Sequence, residues 1–223
     1  MRNRAGMRRA LLHLGTALAA GWAAIALGAP PTPKAATEPY GPREKAVLDE
    51  LNIARTQPQK CATFVEEFKR GFKNDKSYVR HGVNMITKEG VAAVDEAIAF
   101  LKKQNPIGAM TISRGLSLAA RDHVNDIGPK GITGHGGSDK SQPADRMNRH
   151  GKFRRTAGEN ISFGPDEARQ IVMQLIVDDG VPGRGHRTNI FKADYRTVGI
   201  AIGPHKTFRN MCVMDFADQF RDK

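Results

Sequence analysis

Apolar positions along the chain keep two rhythms, a helical one through most of its length and a strand-like one near the carboxyl end. "PREKAVLDELNIARTQ" sets Val47, Leu48, Leu51, Ile53 and Ala54 near one face of a helix, and Pro58 marks its end. "CATFVEEFKRGF" reads as a short helix. "TKEGVAAVDEAIAFLKKQNP" reads as a clear one, with Val91, Val94, Ala97, Ile98 and Leu101 at helical spacing and Pro106 beyond. "TISRGLSLAARDHVNDIG" follows, opening at a threonine or serine and stopping at Gly128. The polar, glycine-rich stretch "GPKGITGHGGSDKSQPADRMNRHG" reads as a connection, and "AGENISFG" as a strand. "PDEARQIVMQLIVDDG" is the next helix. "TVGIAIG" and "NMCVMDFA" alternate as strands, joined by a turn around "PHKTFR".

The amino end departs from both rhythms. Arg2, Arg4, Arg8 and Arg9 precede an apolar run from Ala10 to Leu27, closed by Gly28 and Ala29 before Pro30. That is the layout of a secretory leader, and it predicts export of the chain into the periplasm or medium with residues 1–29 removed. An uncleaved membrane anchor is the alternative, weakened by His13, Gly15, Thr16 and Gly21 within the run. Residues 30–41, "PPTPKAATEPYG", form a proline-rich linker. The rest, 42–223, is long enough for one domain with a real core.

Export changes how charge and cysteine are read. Loss of the four leader arginines lowers the formal charge from +12 to +8. No nucleic-acid module is visible, so the charge either meets anionic envelope polymers or lipid headgroups or serves solubility alone. Cys61 and Cys212 have no metal-ribbon spacing. In an oxidising compartment they form either one bridge or two buried thiols that pack as small hydrophobes.

Candidate chemistry sits on histidines and acids. His123 lies on the apolar face of its helix, where a core role is expected; His81, His150 and His205 lie in polar surroundings. His135 lies between Gly134 and Gly136, and His186 follows Gly185, which leaves both histidines little shielded by their neighbours. The helix before His186 carries a buried stripe that continues to Asp179, with Asp178 at its edge. A carboxylate facing a core needs a cation or donors, and an imidazole arriving after "GVPGRG" could supply one.

"GHGGSDKSQPADRM", "AGENISFG", "RGHRTNIF", "VGIAIG" and the early "LNIARTQP" resemble, in order and spacing, the CAP superfamily of cysteine-rich secretory proteins, venom antigens and plant pathogenesis-related proteins, and its bacterial exported branch in particular. The resemblance spans about residues 43–218. It implies an α+β fold, a three-layer α-β-α sandwich around a small antiparallel sheet, with a cleft of two histidines and two acids. On matching positions these are His135, Glu159 and His186, with an aspartate where other members carry a glutamate. The family register favours Asp178 and helical periodicity favours Asp179; the other is expected to cap the turn or pair with Arg184 or Arg187. Residues 64–105 exceed the compact bacterial pattern and read as an inserted helical segment.

The resemblance implies a monomeric binding module of the cell exterior, its cleft taking a weakly held zinc-like divalent ion, an envelope lipid or polymer, or a peptide. The candidate metal ligands are His135, His186, Glu159, Asp178 and Asp179. A metal-assisted hydrolase using Glu159, His135 and His186 is the alternative, although no HExxH, GxSxG or paired nucleophile is readable. A scaffold with no ligand is the third reading.

Overall fold

The computed structural model describes residues 38–80 and 83–223. The expected leader and most of the linker lie outside these residues. Among the described residues, no helix is long and apolar enough to cross a membrane.

Helix α1 (Pro42–Thr56) starts with proline in its first turn, and the Glu44 carboxylate returns to the Gly41 amide at 2.9 Å. Its Arg55 is completely buried. The guanidinium donates to the carbonyls of Gly108, Ile190, Lys192 and Tyr195, so this arginine of "LNIARTQP" ties α1 to the chain after His186. Helix α2 (Pro58–Arg70) leads into three short antiparallel strands, β1 (Phe72–Asn74), β2 (Ser77–Arg80) and β3 (Val83–Ile86). Helix α3 (Val91–Lys103) therefore begins only at Val91, because residues 87–90 form a turn after β3 instead of a first helical turn.

Strand β4 (Thr111–Ile112) precedes α4 (Arg114–Ile127), whose Ser113 cap accepts the Leu116 amide. The polar stretch read as a connection contains a helix, α5 (Pro143–His150). Strand β5 (Gly151–Phe153), strand β6 (Ala157–Phe163) and helix α6 (Ala168–Val177) follow. A short helix α7 (Gly185–Ile190) comes next. The long strands β7 (Thr197–His205) and β8 (Arg209–Ala217) and the short β9 (Phe220–Asp222) complete the chain.

The central sheet has the order β4-β7-β8-β6 and is antiparallel except where β4 runs parallel to β7. Strand alternation gives it two apolar faces. Val198, Ile200, Ile202, Cys212, Met214 and Phe216 pack against residues of α1, α2, α3 and α6. Ala201, Met211 and Val213 pack on the opposite face against Ala120, Val124 and Ile127 of α4. Leu116 and Ala119 of α4 join Met147 of α5 and Ala217 of β8 beside them. The result is three layers, helices on both sides of one sheet. Helix α4 crosses so close that a Cβ on Gly199 would stand 2.0 Å from the Leu116 carbonyl carbon, so only glycine fits there. Cys61 and Cys212 are free thiols buried within the same core, and burial pushes the Cys61 thiol up to about 12.

Candidate functional site

His135 and His186 each find a carboxylate. His135, in the loop between α4 and α5, has Nδ1 2.7 Å from Glu159 Oε1, and its ring is half-exposed. Glu159 is buried on β6, and its other oxygen accepts Arg146 Nη2 at 2.7 Å. Arg146, on α5, also donates to the carbonyls of His135 and Ser141, which fixes the loop as well as the acid. Burial acts to raise the Glu159 carboxyl, but the His135 hydrogen bond and the Arg146 charge outweigh it and hold it below its ordinary value.

His186 opens α7. Its Nδ1 lies 2.6 Å from Asp178 Oδ1, and its own amide donates to Asp178 Oδ2 at 2.9 Å. Asp178 can double back because it ends α6 in the left-handed region, φ 56° and ψ 41°, which aspartate tolerates better than most residues. Asp179 points elsewhere. Its carboxylate accepts the amides of Lys88, Glu89 and Gly90 at 2.7, 2.7 and 3.0 Å, and so neutralises the start of α3. Helical periodicity had favoured Asp179, but the helix stops at Val177 and the left-handed residue after it resets the direction of both side chains. Arg184 does not pair with Asp179; it binds Glu89 through two nitrogens and also reaches Glu96, which Arg187 contacts too. Residues 88–96 are thereby fastened to the chain that carries His186.

The two pairs are joined by neighbouring residues of β6. Glu159 holds His135, while the Asn160 side chain donates to the His186 carbonyl at 3.0 Å, and successive side chains of a strand face opposite ways. The pairs line separate cavities. His135 and Glu159 border one of about 350 Å³ with Pro143 and Met147. His186 and Asp178 border one of about 590 Å³, walled by Phe64, Phe68, Tyr78, Met85 and Met173.

A four-ligand metal centre does not fit this arrangement. Glu159 and Asp178 already spend their oxygens on the histidines, Arg146 and backbone amides, and Asp179 is committed to residues 88–90. Among the described residues, no group of three histidine, cysteine, aspartate or glutamate side chains is placed to hold an ion. What remains open is one Nε2 on each imidazole, oriented by a carboxylate behind it.

Two partners escaped the sequence reading. Arg146 lay in a polar stretch that gave no helical signal. Asp215 sits opposite Glu159 and opposite Gly199 in the register, fully buried, with no donor on either oxygen. Burial and the Glu159 charge push its carboxyl well above the usual range. A lone acid inside the apolar strand "NMCVMDFA" was the signal that could have found it. His123 is a buried histidine of α4 whose Nε2 meets the Gly134 carbonyl, beside the His135 loop.

The model of the cysteine-rich secretory protein family, CAP, matches residues 48–216. An outer surface protein from Borrelia burgdorferi is similar in structure at 15% identity and a TM-score of 0.43, over 60% of this chain and 91% of that one. An extracellular protein containing an SCP domain, from Bacillus anthracis, is similar at 16% identity and a TM-score of 0.43, over 55% of this chain and 37% of that one. No curated protein sequence matches. With the family model covering most of the chain, and with the helix–sheet–helix layering in place, the protein belongs to the cysteine-rich secretory protein (CAP) family.

Proposed function

We propose that this protein is an exported binding domain that takes an apolar ligand into the cavity beside His186 and Asp178. The observation that carries this reading is the cavity itself, about 590 Å³, where aromatic and methionine side chains such as Phe68, Tyr78, Met85 and Met173 stand beside polar ones such as Glu67, Arg169 and Asp178. That volume lies within the range of small-molecule sites, and methionine and aromatic walls suit a ligand of irregular apolar shape. The His186–Asp178 pair gives the wall an oriented polar point, as such sites use to fix a ligand's direction. The arginine-rich leader before the apolar run supports export. A zinc-like ion plays no part in this reading.

The reading favours binding over hydrolysis. Among the described residues, no serine or cysteine is bonded to either imidazole, and both cysteines are buried in the core. Calorimetry with 1-dodecanol tests it. Met173→Trp, which fills the cavity, is expected to abolish the binding seen in the unaltered protein, whereas Ile132→Ser, at an exposed apolar position outside the cavity lining, is expected to leave it unchanged. Unaltered binding in Met173→Trp would contradict the assignment. Ester turnover lost in His186→Ala would favour the hydrolase instead.

A further inference from the structure

The small sheet of β5 and β9 sorts its residues by face. Gly151 pairs with Asp222, Lys152 with Arg221 and Phe153 with Phe220. Phe153 and Phe220 pack inward on Leu116, Ala119 and Met147. Asp222 also turns inward, where its Oδ1 accepts the Ser113 hydroxyl at 2.8 Å and the Gly115 amide at 2.9 Å. The two-residue alternation of a strand then sends Lys152 and Arg221 outward together. Arg154 follows on the same side, its amide continuing the ladder to the Gln219 carbonyl at 3.2 Å. All three cations are exposed.

This arrangement concentrates positive charge where the sheet gains nothing from it. Side chains directly opposite across two strands stand about 5 Å apart, and like charges in that position are destabilising. Arg154 is about 7 Å further along β5 than Lys152. Among the described residues, none of the three forms an ion pair, whereas Lys69 meets Asp95, Lys102 meets Glu66 and Lys130 meets Asp126. The acid in the turn before β9 is also spent: Asp218 is buried and accepts the amides of Arg155 and Thr156 and the Arg155 guanidinium. A row of exposed, unneutralised cations on a rigid ladder is a site for an anion with more than one charge.

The chemistry around the row favours a polymer over a bilayer. Elements that lie on membranes add an apolar face that enters the headgroup region. Among the described residues, the exposed large apolar side chains are Val79, Ile86, Ile132 and Phe208, and none belongs to β5 or β9. Two of the three cations are arginines, whose planar forks match phosphate oxygens. We propose that this face binds a linear phosphodiester polymer, laid across β5 and β9, with neighbouring phosphates meeting the Lys152–Arg221 pair and Arg154. None of the three residues lines either cavity, so the proposal is independent of the apolar-ligand reading.

Fluorescence anisotropy of a labelled poly(glycerol phosphate) oligomer, titrated with the full chain at several sodium chloride concentrations, tests it. The logarithm of affinity is expected to fall against the logarithm of salt with a slope near −2, about −0.7 for each of three neutralised phosphates. Lys152→Gln/Arg154→Gln/Arg221→Gln is expected to weaken binding at least tenfold at low salt and to flatten the slope. Lys69→Gln/Lys102→Gln/Lys130→Gln removes the same charge from paired positions and is expected to stay within threefold of the unaltered protein. Equal weakening in the two triple variants would assign binding to net charge alone and overturn the site. Tighter binding to phosphatidylglycerol vesicles than to the oligomer, lost in the first variant, would overturn the polymer in favour of a membrane surface. The salt series on unaltered protein decides even if a variant folds poorly, since a flat series or no binding would overturn the proposal.

Discussion

The carboxylate of Asp178 holds His186 twice, accepting the imidazole Nδ1 at 2.6 Å and the backbone amide of the same residue at 2.9 Å. One residue further on, Asp179 holds three amides of residues 88–90. Adjacent acids thus do unrelated work, and their asparagine variants should separate. Asp178→Asn is expected to destabilise the protein by about 1–3 kcal/mol, because a buried carboxylate that accepts from His186 Nδ1 and the amides of His186 and Arg187 is lost. It should also broaden the His186 ring signals by NMR. Asp179→Asn should leave those signals in place and speed hydrogen exchange at residues 88–90. The reverse pattern would mean that the two acids have been assigned to the wrong partners.

Arg146 and Glu159 form the most enclosed ion pair of the site, 2.7 Å apart with both side chains almost fully buried. Arg146→Met leaves Glu159 buried without its cation, which is expected to cost about 3–5 kcal/mol in urea denaturation. Adding Glu159→Gln should return part of that loss, since the stranded charge is gone. A double variant no more stable than Arg146→Met would show that the arginine acts through its bonds to the His135 and Ser141 carbonyls.

Much of this was written in the chain's periodicity. The alternation of "TVGIAIG" and "NMCVMDFA" is the alternation of two packed faces in β7 and β8, and the stripe of α6 runs as spaced. Glycines on either side of His135, and Gly185 before His186, marked the two places that carry the imidazoles. What stayed illegible depended on distant partners. Strands β1–β3 are only three or four residues long, too short for a clear alternation, and what fixes them is the aromatic contact of Tyr78 with Phe68 and Phe72. Helix α5 has few apolar residues and is fixed by Arg146 reaching Glu159, which no local pattern reveals. The choice between Asp178 and Asp179 turned on one left-handed residue at the end of α6.

Asp215 gives stability a pH dependence of definite sign. Its folded carboxyl is pushed well above the ordinary 3.8, first by burial and then by Glu159. The folded state therefore keeps a proton that the unfolded chain releases, and the associated stability is full below about 3.8 and declines as pH rises from there through the folded value. Glu159, held below its ordinary value, contributes in the opposite sense, and its stabilisation is lost as pH falls. Asp215→Asn removes only the first effect. Its stability relative to the unaltered protein should rise as pH climbs from about 4 to about 8 in urea titrations. A difference that is constant with pH would contradict a protonated Asp215.

Zinc offers a test of the two-cavity arrangement. If each imidazole presents a single Nε2 to its own cavity, any zinc binding should be weak, and His135→Ala and His186→Ala should each remove a separate, additive part of the heat. A single tight site lost in either variant would mean that the two histidines converge on one ion.

The most direct test of the central claim follows the methionine methyl groups by NMR while 1-dodecanol is added to the full chain. Met85 and Met173 line the larger cavity with His186, whereas Met147 lines the smaller one with His135. The account predicts saturable shifts at Met85 and Met173, accompanied by the His186 ring, with Met147 unmoved. Shifts confined to Met147 and His135, or none at Met85 and Met173, would contradict it.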